Sequence, residues 1–188
     1  MGNHSRRAVL LSTGAAVLAA SSRVSQAAPP PELKSQVPGL GELPADSPGN
    51  ATDPFRPAYH YSPAKGNLAD PNGLIYFDGE YHLFHQQDGT WAHAVSSDMV
   101  HWKPLGTALQ HDALGLAMSG SCVDDGANTS GLVPGGGMVA VYTSTTGGEA
   151  QSLAYSTDRG RSWRRYDGNP VIPNDGRKDF RDPQVFWH

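Results

Sequence analysis

The property that most constrains this chain is that it repeats itself. Ala94-Val95-Ser96-Ser97-Asp98, followed by Trp102, returns as Ala154-Tyr155-Ser156-Thr157-Asp158, followed by Trp163; the two aspartates lie 60 residues apart. Asp70-Pro71 returns as Asp182-Pro183 after 112 residues, twice 56. Each interval holds about four strand-like runs, and no stretch after Ala27 carries a helical period. A repeat of this length built only from strands and turns is the pattern of propeller blades, each of which buries its faces only against its neighbours. The expected fold is therefore an all-β propeller, of which about two blades and the start of a third are present. The 22 glycines and 15 prolines, against only 17 % charged residues, suit short strands joined by turns.

Local signals agree. Residues 73–84 form two apolar runs around Asp78-Gly79, a strong hairpin signature. Met138–Thr143 reads as a strand entered from the glycines at 135–137. Ser156–Trp163 fits the pattern S-x-D-x-G-x-x-W and is similar to the Asp-box turn of propellers. Asp158 would bond turn amides, Gly160 would supply a positive φ, and Trp163 would pack beneath. That aspartate is read as structural. Cys122 is the only cysteine, so no internal disulfide is possible, and its place in Ser121-Cys122-Val123 suggests a buried strand position. His82 and His85 would point to opposite faces of a strand, and no metal-ligand spacing appears. The net charge of -4 and the absence of basic runs argue against a nucleic-acid surface.

The N-terminus reads as an export signal. Arg6-Arg7 ends a short basic segment, Ala8–Ala20 is an apolar, alanine-rich run, and Ser25-Gln26-Ala27 fits a cleavage site. Residues 5–10 are similar to a twin-arginine signal. Residues 1–27 are thus expected to be removed, leaving a secreted protein with no membrane attachment. Residues 28–54, rich in Pro, Ser, Gly and Ala, read as a linker or arm, with the catalytic domain beginning at residue 55.

Two segments are placed to carry chemistry. Asp70 and Asp182 each precede a proline at the start of a strand, and proline restricts the residue before it to extended conformations. Equivalent positions in different blades converge on the central channel, so the two carboxylates can share one pocket. Paired carboxylates are the machinery of glycoside hydrolysis. Arg181, beside Asp182, would favour its ionised form, which suits binding of sugar hydroxyls.

From about Arg56 to His188 the chain resembles glycoside hydrolase family 32, the invertases, levanases and inulinases. The residues that carry the resemblance are Tyr59-His60-Tyr61-Ser62-Pro63, Asp70-Pro71-Asn72-Gly73, Ala92-His93-Ala94-Val95-Ser96 with His101-Trp102, Ser119-Gly120-Ser121, Gln151–Asp158, Asn169–Ile172 and Phe180-Arg181-Asp182-Pro183. The resemblance implies a five-bladed propeller followed by a β-sandwich, no cofactor, and hydrolysis of β-fructosidic bonds in sucrose or fructans through a covalent fructosyl-enzyme. It implies that Asp70 is the nucleophile. It implies that Arg181, Asp182, Gln86 and Ser119 contact substrate, with Asn67 and Met118 at the pocket rim and Trp91 either structural or partly filling that space.

The departures bear on specificity. Ala69 replaces an asparagine that would bond a sugar hydroxyl, Asn67 a tryptophan, and Met118 a phenylalanine. The loop between Gln86 and Trp91 is shorter than usual. The general acid implied by the resemblance is a glutamate in an E-C motif of the next blade. No such motif is among these residues, and neither Glu80 nor Glu149 is placed to replace it. The 188 residues alone are therefore expected to be inactive. Two further readings stay open: a non-catalytic fructan-binding propeller or fructosyltransferase of the same fold, and a propeller glycosidase of another type, such as an arabinanase or sialidase.

Overall fold

The structure, a computed structural model, describes the backbone of Ala8–Leu11 together with Phe55, Pro57 and residues 60–188. The arm read at 28–54 and the rest of the export signal lie outside the described residues. Among those described there is no helix. The strands are β1 (Ala8–Leu11), β2 (Ala69–Phe77), β3 (Glu80–Gln87), β4 (Thr90–Ser96), β5 (Trp102–Leu109), β6 (Ala117–Asp124), β7 (Met138–Ser144), β8 (Ala150–Ser156), β9 (Arg164–Arg165) and β10 (Gln184–Trp187).

They form two four-stranded antiparallel meanders, β2-β3-β4-β5 and β6-β7-β8-β9, and a two-stranded pair of β1 with β10. The two meanders are successive blades, and β10 begins a third. The first strands, β2, β6 and β10, lie next to one another, as the inner strands of a propeller do. Ala8–Leu11, inside the run read as the apolar part of an export signal, pairs by its backbone with β10.

The hairpins follow from turn chemistry. Asp78-Gly79 joins β2 to β3 with φ of 45° and 85°, the pair of positive values that a two-residue turn matching strand twist requires. Asp88-Gly89 does the same between β3 and β4, with φ of 53° and 73°. The shortened loop after Gln86 is thus a second tight hairpin, announced by a second Asp-Gly.

The sequence repeat becomes a structural repeat at the turns closing each meander. The Asp98 carboxylate accepts hydrogen bonds from the Val100 and His101 amides at 2.8 and 2.7 Å. Asp158 accepts from the Ser162 amide at 2.9 Å and from the Ser162 hydroxyl at 2.6 Å. In both turns a serine hydroxyl, Ser96 or Ser156, accepts a turn amide at 2.8 Å. Gly160 has φ 75°, and Trp163 packs edge-on to Phe84 with ring centres 5.5 Å apart. Asp158 is spent on its turn.

The core lies between the blades. Phe84, Trp91 and Leu109 of the first meet Ala117, Cys122, Met138, Ala140, Tyr142 and Ala154 of the second. Burial places the Cys122 thiol far above its ordinary range, so it stays protonated. The second blade's closing turn also docks onto the first blade's first hairpin. Arg161 grips buried Glu80 with two hydrogen bonds, at 2.6 and 2.7 Å, and Arg159 reaches Asp78 at 3.0 Å.

One glycine is required by contact. At Gly120 the ladder between β6 and β7 slips, and a Cβ there would sit inside the van der Waals radius of the Val141 carbonyl oxygen. Backbone against backbone cannot give way as a side-chain tip can. Gly120→Ala is expected to cost about 3 kcal/mol, read as a fall in denaturant midpoint; an unchanged midpoint would mean that the two strands are not packed this closely.

Candidate active site

The site is built where the inner strands begin. Asp70 sits at a register slip between Ala69 and Pro71, so it drops out of the β2–β3 ladder. Its backbone is not extended: φ is 26° at Asp70 and 62° at Asp182. The extended conformation expected from the following proline is thus overturned at both positions. The proline preference loses to specific hydrogen bonds, a local one at Asp70 and a long-range one at Asp182. The Asn72 side-chain amide donates to the Asp70 carbonyl at 2.9 Å, and the Asp182 amide donates to the Thr143 hydroxyl at 3.1 Å. Aspartate is among the few residues that tolerate such φ values, at a cost of order 1–3 kcal/mol, and such strain collects at functional sites.

Between these residues lies an open cavity of about 540 Å³. Asp70 and Asn72 line it from β2, Ser119 and Cys122 from β6, and Asp182 and Gln184 from the approach to β10. Ser119 stands 3.5 Å from Asp70, its hydroxyl toward Oδ2. Two aspartates that are 112 residues apart in sequence therefore face one space.

The electrostatics of Asp182 differ from the expectation. Its carboxyl is pushed up from the usual range, first by burial and then by the negative charges of Asp70 and Glu149, which together outweigh Arg181. Arg181 does favour the ionised form, as expected, but burial and the neighbouring carboxylates outweigh it, and its guanidinium is also engaged elsewhere. It bonds Glu149 at 2.5 Å and Asp179 at 2.9 Å, and it does not line the cavity. Neighbours in sequence need not be partners in space.

The other expected contacts separate. Trp91 is fully buried, its indole N–H donating to the Met118 carbonyl at 2.9 Å, so of its two readings the structural one holds and its place among the substrate contacts is corrected: it is core. Gln86 is buried too, and its amide donates to the Ala117 carbonyl at 3.0 Å. The tight Asp88-Gly89 hairpin holds both residues against β6 rather than over the cavity. Asn67 is exposed and Met118 half-buried, and neither lines the cavity. Of the expected set, Asp70, Ser119 and Asp182 come together.

Sequence reasoning passed over Asn72, which is 7 % exposed and lines the cavity with its side-chain oxygen unpartnered. It also set Glu149 aside as a loop carboxylate. Buried polar groups demand partners, so an asparagine leading into an apolar strand was a usable signal.

Comparison with known proteins shows the family. Residues 60–188 match the family model of the glycosyl hydrolases family 32 N-terminal domain. A levanase of Bacillus sp. (strain L7) is 51 % identical over 150 residues, covering 71 % of this chain and 16 % of the levanase. The extracellular exo-inulinase of Aspergillus awamori is 39 % identical; its crystal structure superposes with a TM-score of 0.64 over 74 % of this chain and 34 % of the inulinase chain. The fructofuranosidase of Schwanniomyces occidentalis, solved in complex with fructose, is 37 % identical with a TM-score of 0.66, over 71 % of this chain and 30 % of that one. The chain thus spans about a sixth to a third of the length of these relatives.

Proposed function

The chain belongs to glycosyl hydrolase family 32, and we propose that it carries the nucleophile side of a site that hydrolyses β-fructosidic bonds in sucrose or fructans. The convergence of Asp70 and Asp182 on one cavity, with Ser119 at its edge, carries the reading. Asp70 is exposed to the cavity and free of the ladder, as a carboxylate that must reach an anomeric carbon has to be. Its oxygen attacks that carbon, and the glycosidic C–O bond breaks as the leaving oxygen takes a proton from a general acid. Water then attacks the same carbon, giving a proton back to the conjugate base of that acid, and the Asp70 carboxylate leaves. Asp182, with its raised proton affinity, hydrogen-bonds fructose hydroxyls. The relatives named levanase, exo-inulinase and fructofuranosidase point to fructosyl substrates. The one named extracellular supports export, which the twin-arginine-like N-terminus would direct.

Among the described residues the carboxylates that line the cavity are Asp70 and Asp182; Glu149 is committed to Arg181 and Glu80 to Arg161, so neither of those is placed as the general acid. A missing acid typically costs about 10²–10⁴-fold. Purified protein expressed from its own gene is therefore expected to release fructose from sucrose, levan or inulin with retention at the anomeric carbon. The 188-residue polypeptide alone is expected to be slower by at least that factor. Inversion, or no release from any of the three, would overturn the proposal. Ala69 and Asn67 favour one other reading, fructan binding without turnover; that outcome would show as retention on a fructan affinity gel with no product. Transfer of fructosyl groups to sugars in place of water would mark the fructosyltransferase alternative.

A further inference from the structure

Behind Asp182 lies a chain of buried polar groups whose direction is unambiguous. Thr143 on β7 and Gln151 on β8 face each other across the ladder, and both are buried, at 0 % and 4 % exposure. The Thr143 hydroxyl donates to Gln151 Oε1 at 2.8 Å. Its proton is thereby committed, and its lone pair accepts the Asp182 amide at 3.1 Å. The Gln151 amide nitrogen in turn donates to the Phe180 carbonyl at 2.8 Å. The pair thus holds the segment at two backbone points, one on each side of Arg181. Beyond Asp182, the Ser121 hydroxyl takes over: it donates to the Pro183 carbonyl and accepts the Val185 amide, both at 2.9 Å.

A left-handed aspartate before a proline does not hold itself. Its conformation persists only where the surroundings over-determine it. The Asp182 amide is satisfied by Thr143, and Thr143 is oriented by Gln151. The β7 run that leads to Thr143, Met138–Tyr142, is largely apolar. A threonine and a glutamine inside such a sheet would cost stability unless fully paired.

We infer that Thr143 and Gln151 are positioning residues of the active site, a backbone clamp that sets Asp182 toward Asp70 and holds Arg181 at the site's edge. This rests on the reading of the cavity as a fructoside-hydrolase site. The clamp touches no substrate and acts only through the 180–182 backbone.

The test compares four proteins expressed from the gene: wild type, Thr143→Val, Thr143→Ser and Ser152→Ala. Valine keeps the shape of threonine and removes both bonds; serine keeps the hydroxyl. Ser152 supplies the control, because its hydroxyl bonds Ser144 at 2.9 Å within the same sheet and none of its hydrogen bonds reaches the 180–182 segment. Displacement of a binding group by about 1 Å costs up to ~10²-fold. Thr143→Val is therefore expected to lower kcat/KM on the best fructoside by about 10- to 100-fold, with KM rising, since Asp182 binds the ring. Thr143→Ser should restore it to within about threefold, and Ser152→Ala should lose stability while keeping kcat/KM. Hydrogen exchange at the Asp182 amide should accelerate in Thr143→Val alone. Normal kcat/KM in Thr143→Val, no rescue by serine, or an equal loss in Ser152→Ala would overturn the clamp. Should wild type cleave no fructoside, the functional reading fails, and amide exchange alone decides the clamp: acceleration in Thr143→Val supports it, and unchanged protection refutes it.

Discussion

Asp70→Asn is expected to lower fructose release by about 10⁴-fold or more while leaving the fold intact. An amide oxygen does not displace an alkoxide from an anomeric carbon, so the covalent route closes, and loss of a member of a covalent machinery typically costs about this much. The fold has little stake in the carboxylate. Asp70 is exposed and outside the β2–β3 ladder, and among the described residues its side chain makes a single long hydrogen bond, with Ser119 at 3.5 Å. Its conformation is held through its backbone carbonyl by Asn72, a bond that the substitution leaves in place. Asparagine also tolerates a φ of 26° at least as well as aspartate does. Removing the charge relieves repulsion on Asp182, whose proton affinity should fall. Unfolding midpoint and initial rate should therefore separate, with the midpoint kept and the rate lost. A mechanism-based fructoside should label Asp70 and no other carboxylate. A rate within tenfold of wild type, or label elsewhere, would move the nucleophile to another residue.

What could be read from the sequence was whatever depends on repetition and local turn chemistry. The recurrence of Ser96-Ser97-Asp98 as Ser156-Thr157-Asp158 announced two blades closing in the same turn, and the structure has them bonding amides in the same way. Asp78-Gly79 announced its hairpin, while the equal signal of Asp88-Gly89 was hidden inside a loop that looked merely short. What was not legible depends on distant partners. The proline rule is local, and it lost at Asp70 and Asp182 to a register slip and to a hydroxyl 39 residues away. Arg181 adjoins Asp182 in sequence, but its guanidinium pairs with Glu149, 32 residues back. Trp91 reads as either structural or filling part of the pocket rim, since a matching motif does not say which way an indole faces; here its N–H meets a carbonyl 27 residues on, and the ring is core. Binding residues and buried polar residues use the same side chains, so only the location of the partner separates them.

That same distinction governs the behaviour of this domain in acid. His82 of β3 and His93 of β4 are both buried, and His82 Nδ1 lies 3.0 Å from His93 Nε2. With both rings neutral, one N–H between them satisfies the contact, whereas protonating both rings places two donors and two like charges against each other. Burial is the main cause that lowers both, to about 4 for His82 and about 3 for His93; nearby Arg161 adds to it at both, and at His93 the His82 charge does as well. Glu80 pulls the other way on His82. Glu80 itself is pushed up by burial but held below the usual carboxylate range by Arg161 and Arg159. The sign follows. Above about pH 6.5, the ordinary histidine value, both rings are neutral folded or unfolded, and this contribution to stability is fully present. Between pH 6.5 and 4 only the unfolded chain takes up protons, so stability falls by about 1.4 kcal/mol per pH unit for each ring. The loss flattens below the folded values. The expected result is a loss on the order of 5 kcal/mol between pH 7 and pH 4.5, read from denaturant unfolding of the gene product. The Glu80–Arg161 grip, held below the carboxylate range, survives most of that window. Replacing both histidines with glutamine should lower stability at pH 7 and flatten the slope. If the wild type and the double variant lose stability in parallel from pH 7 to pH 4.5, the buried pair is not what limits this blade interface in acid.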